Sequence, residues 1–268
     1  MEGGINMIKQ WFITGDTHGA QRLCKRLRVF KLQHKDLLPA ETGIIILGDA
    51  GLNYHGETLG GSYDAKDKEA VNKYGYQLYL LRGNHEFRPS TLSNIVIGQD
   101  KNVNGMVYRE EKYPNIHYFL DGGGQYWINN IKVFTIPGAY SVDKNFRLAT
   151  GKKWFRDEQM TLEEQVDFLD SVKFYMELAH GKEDIIILSH TCPLIFEPHI
   201  KYLFMDGLDQ DSIDKTMETF LDKIFATIPD YKYWYFGHFH DDKDFYDIKA
   251  TILFEKVIPF GEYIDMEE

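Results

Sequence analysis

Five short apolar runs in this sequence each end in a small residue that is followed by a side chain able to bind metal. The runs are WFITGD (11–16), IIILGD (44–49), LYLLRGN (78–84), IIILSH (185–190) and YWYFGH (233–238). Runs of this length, rich in Ile, Tyr and Phe, are typical of buried β-strands. Ligands of open α/β sheets bind outside the carboxyl ends of the strands. We therefore expect these five strands to bring polar side chains to one rim of the fold.

Amphipathic stretches between these runs predict helices. Residues 20–31 alternate apolar and basic positions, as a helix lying on a sheet does. A longer helix is predicted to begin at a capping box formed by Thr161 and Glu164 and to stop at Gly181. A third apolar stretch ends before Pro229, which cannot continue a helix.

The middle and the end of the chain read as β-structure. Residues 116–138 predict three short strands separated by a Gly-rich turn and an Asn-Asn turn. The tail ATILFEKVIPF (250–260) is also β-like. With no convincing linker, the chain is predicted to be one α/β domain over residues 1–268, with two packed sheets and helices outside.

Composition narrows the function classes. The net charge of −11 argues against a surface that coats long nucleic acid, although a nucleotide or phosphoester substrate remains compatible if cations bind locally. Two cysteines imply no disulfide framework. No leader pattern opens the sequence, and no apolar run is long enough for a bilayer. We expect a cytoplasmic protein without membrane contact; the sequence leaves its oligomeric state open.

The residues with metal-binding side chains form a set of two aspartates, one asparagine and five histidines. They are Asp16, His18, Asp49, Asn84, His85, His190, His238 and His240. Such oxygen and nitrogen donors suit Mn, Fe, Zn or a mixed pair in open sites better than a closed thiolate site. One carboxylate can be shared by two ions, and two ions about 3.5–4 Å apart are the usual arrangement for phosphate-ester hydrolysis.

Two local geometries are expected at these positions. The glycines before the ligands are expected to adopt unusual φ angles that turn the strand ends sharply and to leave room for backbone to approach an ion; they are Gly15, Gly48, Gly83 and Gly237. If the last strand continues through HFH, alternation would aim His238 and His240 to one side and Phe239 to the other.

The motifs GDTHG, GDAG, GNHE, SH and GHFH, in this order over residues 15–240, resemble those of the calcineurin-like metallophosphoesterases. The resemblance implies two mixed β-sheets packed as a sandwich with helices on both outer faces, a four-layer fold. It also implies two divalent metal ions. One ion would be bound by Asp16, His18 and His240 and the other by Asn84, His190 and His238, with Asp49 shared between them.

By the same resemblance, a hydroxide bridging the ions would attack the phosphorus of a phosphate mono- or diester directly. His85 would act as the general acid or hydrogen-bond a phosphoryl oxygen. Phosphoprotein phosphatases of this superfamily continue the second motif as GDxxDRG, whereas this chain has Leu52 and Asn53 there. That departure weakens an assignment to this branch. Arg88 is a candidate to supply positive charge to the substrate.

A locally basic segment, residues 139–160, follows the predicted strand IKVFTIPG, and we call it the rim segment. Long loops on the rim of an α/β domain are often functional. We predict that it borders the metal site and contacts substrate through Lys152 and Arg156. The alternative is a surface loop anchored in the core by Trp154 and Phe155. Residues 54–70 are Gly-rich and are predicted to form a loop near the site.

The sequence is compatible with three functions. The leading prediction is a metal-dependent phosphoric ester hydrolase whose partner is a phosphoester. A nuclease or cyclic-nucleotide phosphodiesterase would use the same site, although the acidic surface argues against long polynucleotides. A non-catalytic scaffold is the third, and the presence of His85 beside a full ligand set argues against it.

Overall fold

The computed structural model describes residues 7–56, 62–179, 183–204 and 212–262. Each of the five apolar runs forms a strand, and all five are buried. Within the described residues the strands are β1 (Gln10–Thr14), β2 (Thr42–Ile46), β3 (Gln77–Leu80), β4 (Ile95–Asp100), β5 (Gly105–Glu110), β6 (Ile116–Tyr118), β7 (Gly124–Ile128), β8 (Ile131–Ile136), β9 (Ile185–Ser189), β10 (Tyr233–Phe236), β11 (Lys243–Phe245), β12 (Ala250–Ile252) and β13 (Val257–Pro259).

The strands form two mixed sheets. The seven-stranded sheet has the order β13-β1-β2-β3-β6-β5-β4, with β1, β2, β3 and β6 parallel. The six-stranded sheet has the order β11-β12-β10-β9-β8-β7, with β12, β10, β9 and β8 parallel. The three predicted middle strands are confirmed. The hairpin between β7 and β8 turns at Asn129 and Asn130, which both have positive φ, as its two-residue loop requires.

Six helices surround the sheets in the described part of the chain. They are α1 (Ala20–Gln33), α2 (Ser62–Asn72), α3 (Lys144–Ala149), α4 (Leu162–Ala179), α5 (Glu197–Ile200) and α6 (Thr216–Thr227). The predicted capping box is present before α4: the Thr161 amide donates to Glu164 at 2.7 Å and the Glu164 amide donates to Thr161 Oγ1 at 3.1 Å. Gly181, the predicted stop, lies outside the described residues.

The prediction of a loop over residues 54–70 is wrong in its second half, where α2 forms. The glycines that suggested a loop precede this helix. Within it, Val71 packs into the core and Lys68 pairs with Glu110 at 2.7 Å. Burial of these side chains against the neighbouring strands favours the helix.

Alternating residues of each strand face opposite ways, one set into the core between the sheets and the other toward the helices outside. Ile13, Ile45 and Tyr79 pack between the sheets with β9 and β10 residues such as Ile186 and Tyr235.

The outer faces carry the helices. Alternate residues of β1 to β3 pack against α1 and α2, and those of β8 to β10 pack against α4 and α6. The chain therefore has the predicted α/β architecture of two mixed sheets packed as a sandwich with helices on both outer faces. No helix within the described residues has the length and apolarity needed to cross a bilayer.

Candidate metal centre

Seven predicted metal ligands follow the ends of five parallel strands, and we call them the ligand cluster. They are Asp16, His18, Asp49, Asn84, His190, His238 and His240. Strands β1, β2 and β3 of the seven-stranded sheet carry the first four, and β9 and β10 of the six-stranded sheet carry the last three. Four of the seven, Asp16, Asp49, Asn84 and His190, are each 1% exposed or less.

Asp16, His18 and His240 place their ligand atoms within 4.8 Å of one another. The Nε2 atoms of His18 and His240 lie 2.7 Å apart, and Asp16 Oδ2 lies 3.3 Å from His240 Nε2. Asp16 Oδ2 is buried, and within the described residues no donor, His240 Nε2 included, makes a well-aligned hydrogen bond to it. A buried carboxylate oxygen without a donor is unfavourable unless a cation balances it. The donor set therefore fits a divalent ion.

A second group consists of Asp16, Asp49 and His190. Asp49 Oδ2 lies 3.8 Å from both His18 Nδ1 and His190 Nε2, so it stands between the two groups. Asn84 Oδ1 lies 2.9 Å from His190 Nε2. His190 Nδ1 lies 2.7 Å from the Leu47 carbonyl, which can only accept, so this nitrogen carries a proton. An ion between Nε2 and Asn84 Oδ1 would let both atoms act as ligands.

His238 is brought to the same rim in a different way. Its ring lies 5.1 Å from that of His190, and its backbone amide donates to Asp16 Oδ1 at 3.1 Å. Its ring nitrogens belong to neither group of ligand atoms found among the described residues. Its assignment to the second ion stays a prediction.

The expected strand geometry of HFH is wrong. Strand β10 ends at Phe236, and His238 and His240 have φ of 68° and 56°, in the left-handed region. The segment is a turn, because the chain must bend over the strand end. Phe239 still packs against the core beneath the six-stranded sheet. The two imidazoles reach the ligand cluster by left-handed backbone rather than by alternation.

The expected unusual φ is absent from three of the four glycines that precede the ligands. Among the four, only Gly48 has a positive φ, of 100°. A Cβ at Gly83 would lie 2.0 Å from Asp49 Oδ1, and one at Gly237 would lie 2.4 Å from Asp16 Oδ1. A Cβ at Gly15 would lie 1.8 Å from a backbone carbonyl oxygen. These glycines are needed because backbone and carboxylates approach closely here.

Burial and neighbouring charge shift the pKa values of the cluster. Burial, together with the charge of Asp16, raises the pKa of Asp49. Burial would also raise the pKa of Asp16, but the nearby His190 and His240 outweigh it and the pKa is lowered. Burial lowers the pKa of His18 to about 4 and, together with His190, that of His238 to about 3. Neutral imidazoles are the form that binds metal.

A hydrogen-bonded chain from the rim segment orients Asn84. The Asn84 amide nitrogen donates to Ser141 Oγ at 2.8 Å, so the amide oxygen faces His190. Ser141 donates to Glu158 through both its hydroxyl, at 2.5 Å, and its backbone amide, at 3.0 Å. All three residues are buried. Sequence reasoning missed Ser141 and Glu158, since only the folded rim segment brings them under Asn84.

A pocket of about 440 Å³ opens beside the ligand cluster. It is lined by His18, Gly19, Asp49, Gly51, Tyr54, His55, Asp67, His85, Arg147 and Lys152. The rim segment thus borders the pocket, and Lys152 lines it. Its contact with substrate stays a prediction. His85 also lines the pocket, with Nε2 4.0 Å from Asp49 Oδ2. Its catalytic role stays a prediction.

Arg147 was not singled out by the sequence, yet within the described residues it makes the closest polar contact to the His85 ring. Its Nη2 donates to His85 Nε2 at 3.0 Å. Burial, followed by Arg147, lowers the pKa of His85 to about 2. The only sequence signal for Arg147 was its place in the basic rim segment.

The two arginines that were predicted to contact substrate, Arg88 and Arg156, do not line this pocket. Arg88 is 8% exposed, and its guanidinium pairs with Glu164 and donates to the backbone carbonyl of Gln159 at 2.8 Å. The prediction that Arg88 contacts substrate is not supported by this arrangement, because its hydrogen bonds tie the rim segment to α4. Arg156 is exposed and outside the pocket lining.

The alternative anchoring of the rim segment is also present. Phe155 is buried, and its ring packs edge-on against those of Phe87 and Tyr54 at 5.0 and 6.0 Å. Trp154 is half-buried and lies under Lys144, 4.2 Å from its ring centre. The rim segment is therefore both anchored in the protein and exposed to the pocket.

Comparison with known proteins assigns a family to this chain. The family model of calcineurin-like phosphoesterases matches residues 12–242. No curated protein sequence matches at a significant level. The structure of TT1561 from Thermus thermophilus is similar over 92% of this chain and 89% of its own, at 11% identity and a TM-score of 0.47. A provisionally assigned 5'-nucleotidase from Staphylococcus aureus, in complex with alpha-ketoglutarate, is similar over 92% of this chain and 49% of its own, at 14% identity and a TM-score of 0.44. Neither likeness is close enough to bear on the substrate.

Proposed function

This chain belongs to the calcineurin-like phosphoesterase family, and from that premise we propose that it is a phosphoesterase that depends on two divalent metal ions. The proposed reaction is hydrolysis of a phosphate ester by water. The proposed enzyme is a single domain over residues 1–268 and acts on a phosphoester substrate.

One observation carries the proposal: two overlapping groups of ligand atoms meet at Asp16, beside a pocket that also contains His85. Asp16 Oδ2 is buried among imidazole nitrogens, with His240 Nε2 at 3.3 Å and no well-aligned hydrogen-bond donor in the described part of the chain. In this family such donor sets hold divalent cations. A purely structural cluster would be expected to satisfy each buried oxygen with a donor.

The residues divide the work as follows. Asp16, His18 and His240 would hold one ion, Asn84, His190 and His238 the other, and Asp49 both. When bound, two such ions lower the pKa of a shared water and neutralise phosphoryl oxygens. The chain of Glu158, Ser141 and Asn84 would keep the amide oxygen turned toward its ion.

His85 lines the pocket without being a ligand in the proposed assignment, which supports a role for it on the substrate. Its Nε2 accepts from Arg147 in this arrangement, so it cannot donate a proton from that atom while the contact lasts. A phosphoryl oxygen that displaced the arginine would free His85 to hydrogen-bond it or to protonate the leaving oxygen.

The test combines metal analysis with two simple esters. The purified chain is loaded with Mn, Fe or Zn, its ion content is measured, and hydrolysis of p-nitrophenyl phosphate and of bis(p-nitrophenyl) phosphate is followed. We expect two ions per chain and turnover of at least one ester, abolished by a chelator and restored by metal. An Asp16→Asn variant serves as the inactive control.

Fewer than two ions at saturating metal would contradict the proposed centre. Two bound ions without turnover of either ester, in any metal, would contradict the proposed activity and favour a non-catalytic scaffold.

A further inference from the structure

The position of Arg147 in the pocket points to the class of substrate, an inference that rests on the proposed function. We propose that Arg147 is a substrate-binding residue that, with Lys152, grips the terminal phosphate of a small phosphomonoester. Both side chains line the pocket beside His85, in a chain whose net charge is −11. Cations gathered at one place on an acidic protein are suited to an anionic ligand.

The guanidinium of Arg147 is held in a fixed orientation. Its Nε donates to both carboxylate oxygens of Asp143 at 2.8 Å, and its Nη1 donates to the Lys153 carbonyl at 3.2 Å. Asp143 precedes α3 and Arg147 lies on it, so the pair is spaced i, i+4. An arginine fixed in this way loses little conformational freedom when a ligand arrives.

Arg147 also keeps donors to spare. A guanidinium has five N–H groups. One donates to Asp143, one to Lys153 and one to His85 Nε2, so two have no partner among the described residues. Arginine presents such groups as a fork that matches the oxygens of a phosphate. The contact with His85 places the guanidinium beside the residue proposed to act on the ester, and a phosphate that accepted this N–H instead would release His85.

The charge of the substrate phosphate and the size of the pocket both favour a small phosphomonoester over a diester. A terminal phosphate has three non-bridging oxygens and carries close to two negative charges near neutral pH, whereas a diester carries one charge and two such oxygens. Arg147 and Lys152 add charge beyond that of two ions, which benefits the dianion more. A pocket of about 440 Å³ falls in the size range of small-molecule sites, and Tyr54 and His55 also line it.

The experiment compares Arg147→Ala, Arg147→Lys and Lys144→Ala with the wild type, all loaded with metal. Lys144→Ala removes one positive charge from the same helix without touching the pocket lining. Binding of inorganic phosphate is measured by calorimetry, and kcat/KM is measured for p-nitrophenyl phosphate and bis(p-nitrophenyl) phosphate. Ion content and thermal melting confirm that each variant is folded and loaded.

We expect Arg147→Ala to weaken phosphate binding and monoester kcat/KM by about tenfold to a hundredfold, as the loss of charged hydrogen bonds predicts. Diester kcat/KM should change less than threefold. Arg147→Lys should fall between, because it keeps the charge without the fork. Lys144→Ala should match the wild type in every measurement.

Phosphate binding within twofold of the wild type in both Arg147 variants would overturn the inference. Equal losses on monoester and diester, or an equal loss in Lys144→Ala, would also overturn it. If the wild type hydrolyses neither ester, the proposed function fails, but the phosphate titrations still decide whether Arg147 binds a phosphate.

Discussion

The ligand cluster and the rim segment are built in opposite ways. The cluster residues follow buried strands of both sheets, and Asp16, Asp49, Asn84 and His190 are almost fully buried. The rim segment is a connection whose outer residues are largely exposed, and it reaches the pocket through side chains on the short helix α3 and the loop after it.

The difference separates two tasks. The positions of the cluster residues are set by core strands, so a change there should disturb ion binding or folding. The rim residues hold the substrate through long side chains, so a change there should alter ester preference while ions and fold persist. Substrate preference can therefore vary without rebuilding the metal centre.

The largest expected effect is that of Asp49→Asn. The amide would keep an acceptor for the His85 backbone amide, which donates to Asp49 Oδ1 at 2.8 Å. It would remove a negative charge that lies 3.8 Å from a ligand nitrogen of each group, His18 Nδ1 and His190 Nε2. Since metal ions supply several kcal/mol of transition-state stabilisation, we expect kcat/KM to fall about a thousandfold or more. Ion content should drop as well. Retention of two ions with near-normal turnover would show that Asp49 is not shared.

Next is His85→Gln, which tests whether the residue acts on substrate rather than on metal. General acid–base groups contribute about a hundredfold to ten-thousandfold, so kcat should fall in that range while two ions remain bound. Loss of an ion in this variant would show that His85 is a metal ligand and would contradict its proposed role on the substrate. Metal analysis beside steady-state kinetics distinguishes the two.

Ser141→Ala tests how the two regions are coupled, because Ser141 belongs to the rim segment and orients Asn84 in the ligand cluster. Loss of groups that orient a metal ligand lowers affinity by about tenfold to a hundredfold, and we expect that loss for one of the two ions. Ser141→Thr should restore most of it. Ser171→Ala, which removes a hydrogen-bonded hydroxyl in α4, is the matched control. Unchanged titration curves for both ions would contradict the orienting role.

A pair of glycine substitutions compares the regions directly. Gly83→Ala would place a Cβ 2.0 Å from Asp49 Oδ1, so we expect about 1–3 kcal/mol of destabilisation from overpacking and weaker ion binding. Gly151→Ala meets no atom within 4 Å, and its φ of 68° predicts about 1–2 kcal/mol of strain without a change in ion content. Urea unfolding and metal analysis measure both. Equal ion loss in the two variants would contradict the comparison.

The smallest effect on chemistry is expected at Glu218, beneath the cluster. Thr191, the neighbour of His190, donates to its carboxylate at 2.8 Å, and burial raises the pKa of Glu218 from 4.5 to about 7. The folded state therefore binds this proton more tightly than the unfolded state. Its contribution to stability is complete below pH 4.5 and is lost as the pH rises through about 7.

Glu218→Gln should flatten this part of the pH dependence, as seen in urea unfolding at pH 5 and pH 8. Glu163→Gln, at an exposed position of α4, should not. A pH dependence identical in Glu218→Gln and the wild type would show that the carboxyl group is not the cause.

Much of the fold was predictable because local signals agreed with burial. The five apolar runs, the capping box at Thr161 and the turn at Asn129 and Asn130 need only neighbouring residues to be recognised, and all three formed as predicted. The helix α2 was missed because its stability comes from contacts with distant strands that the sequence does not display.

The candidate site divides along the same line. Residues such as Asp16 and Asp49 stand next to strands, so the sequence places them at one rim. Arg147 meets His85 across a gap of 62 residues, and Arg88 is diverted to Glu164 across 76, so charge in the sequence could not tell which arginine reaches the pocket. The turn at His238 and His240 was missed because its left-handed backbone depends on the approach of Asp16.

The division of the ligand cluster between two sheets has a consequence for how the protein survives in a cell. Ions held by Asp16 and Asp49 on one sheet and by His190 and His240 on the other would act as removable cross-links between the layers. A ligand present at a hundred times its Kd adds about 2.7 kcal/mol to the stability of the folded state. Metal starvation would then shorten the lifetime of the protein as well as silence it, so that its abundance would follow the metal supply.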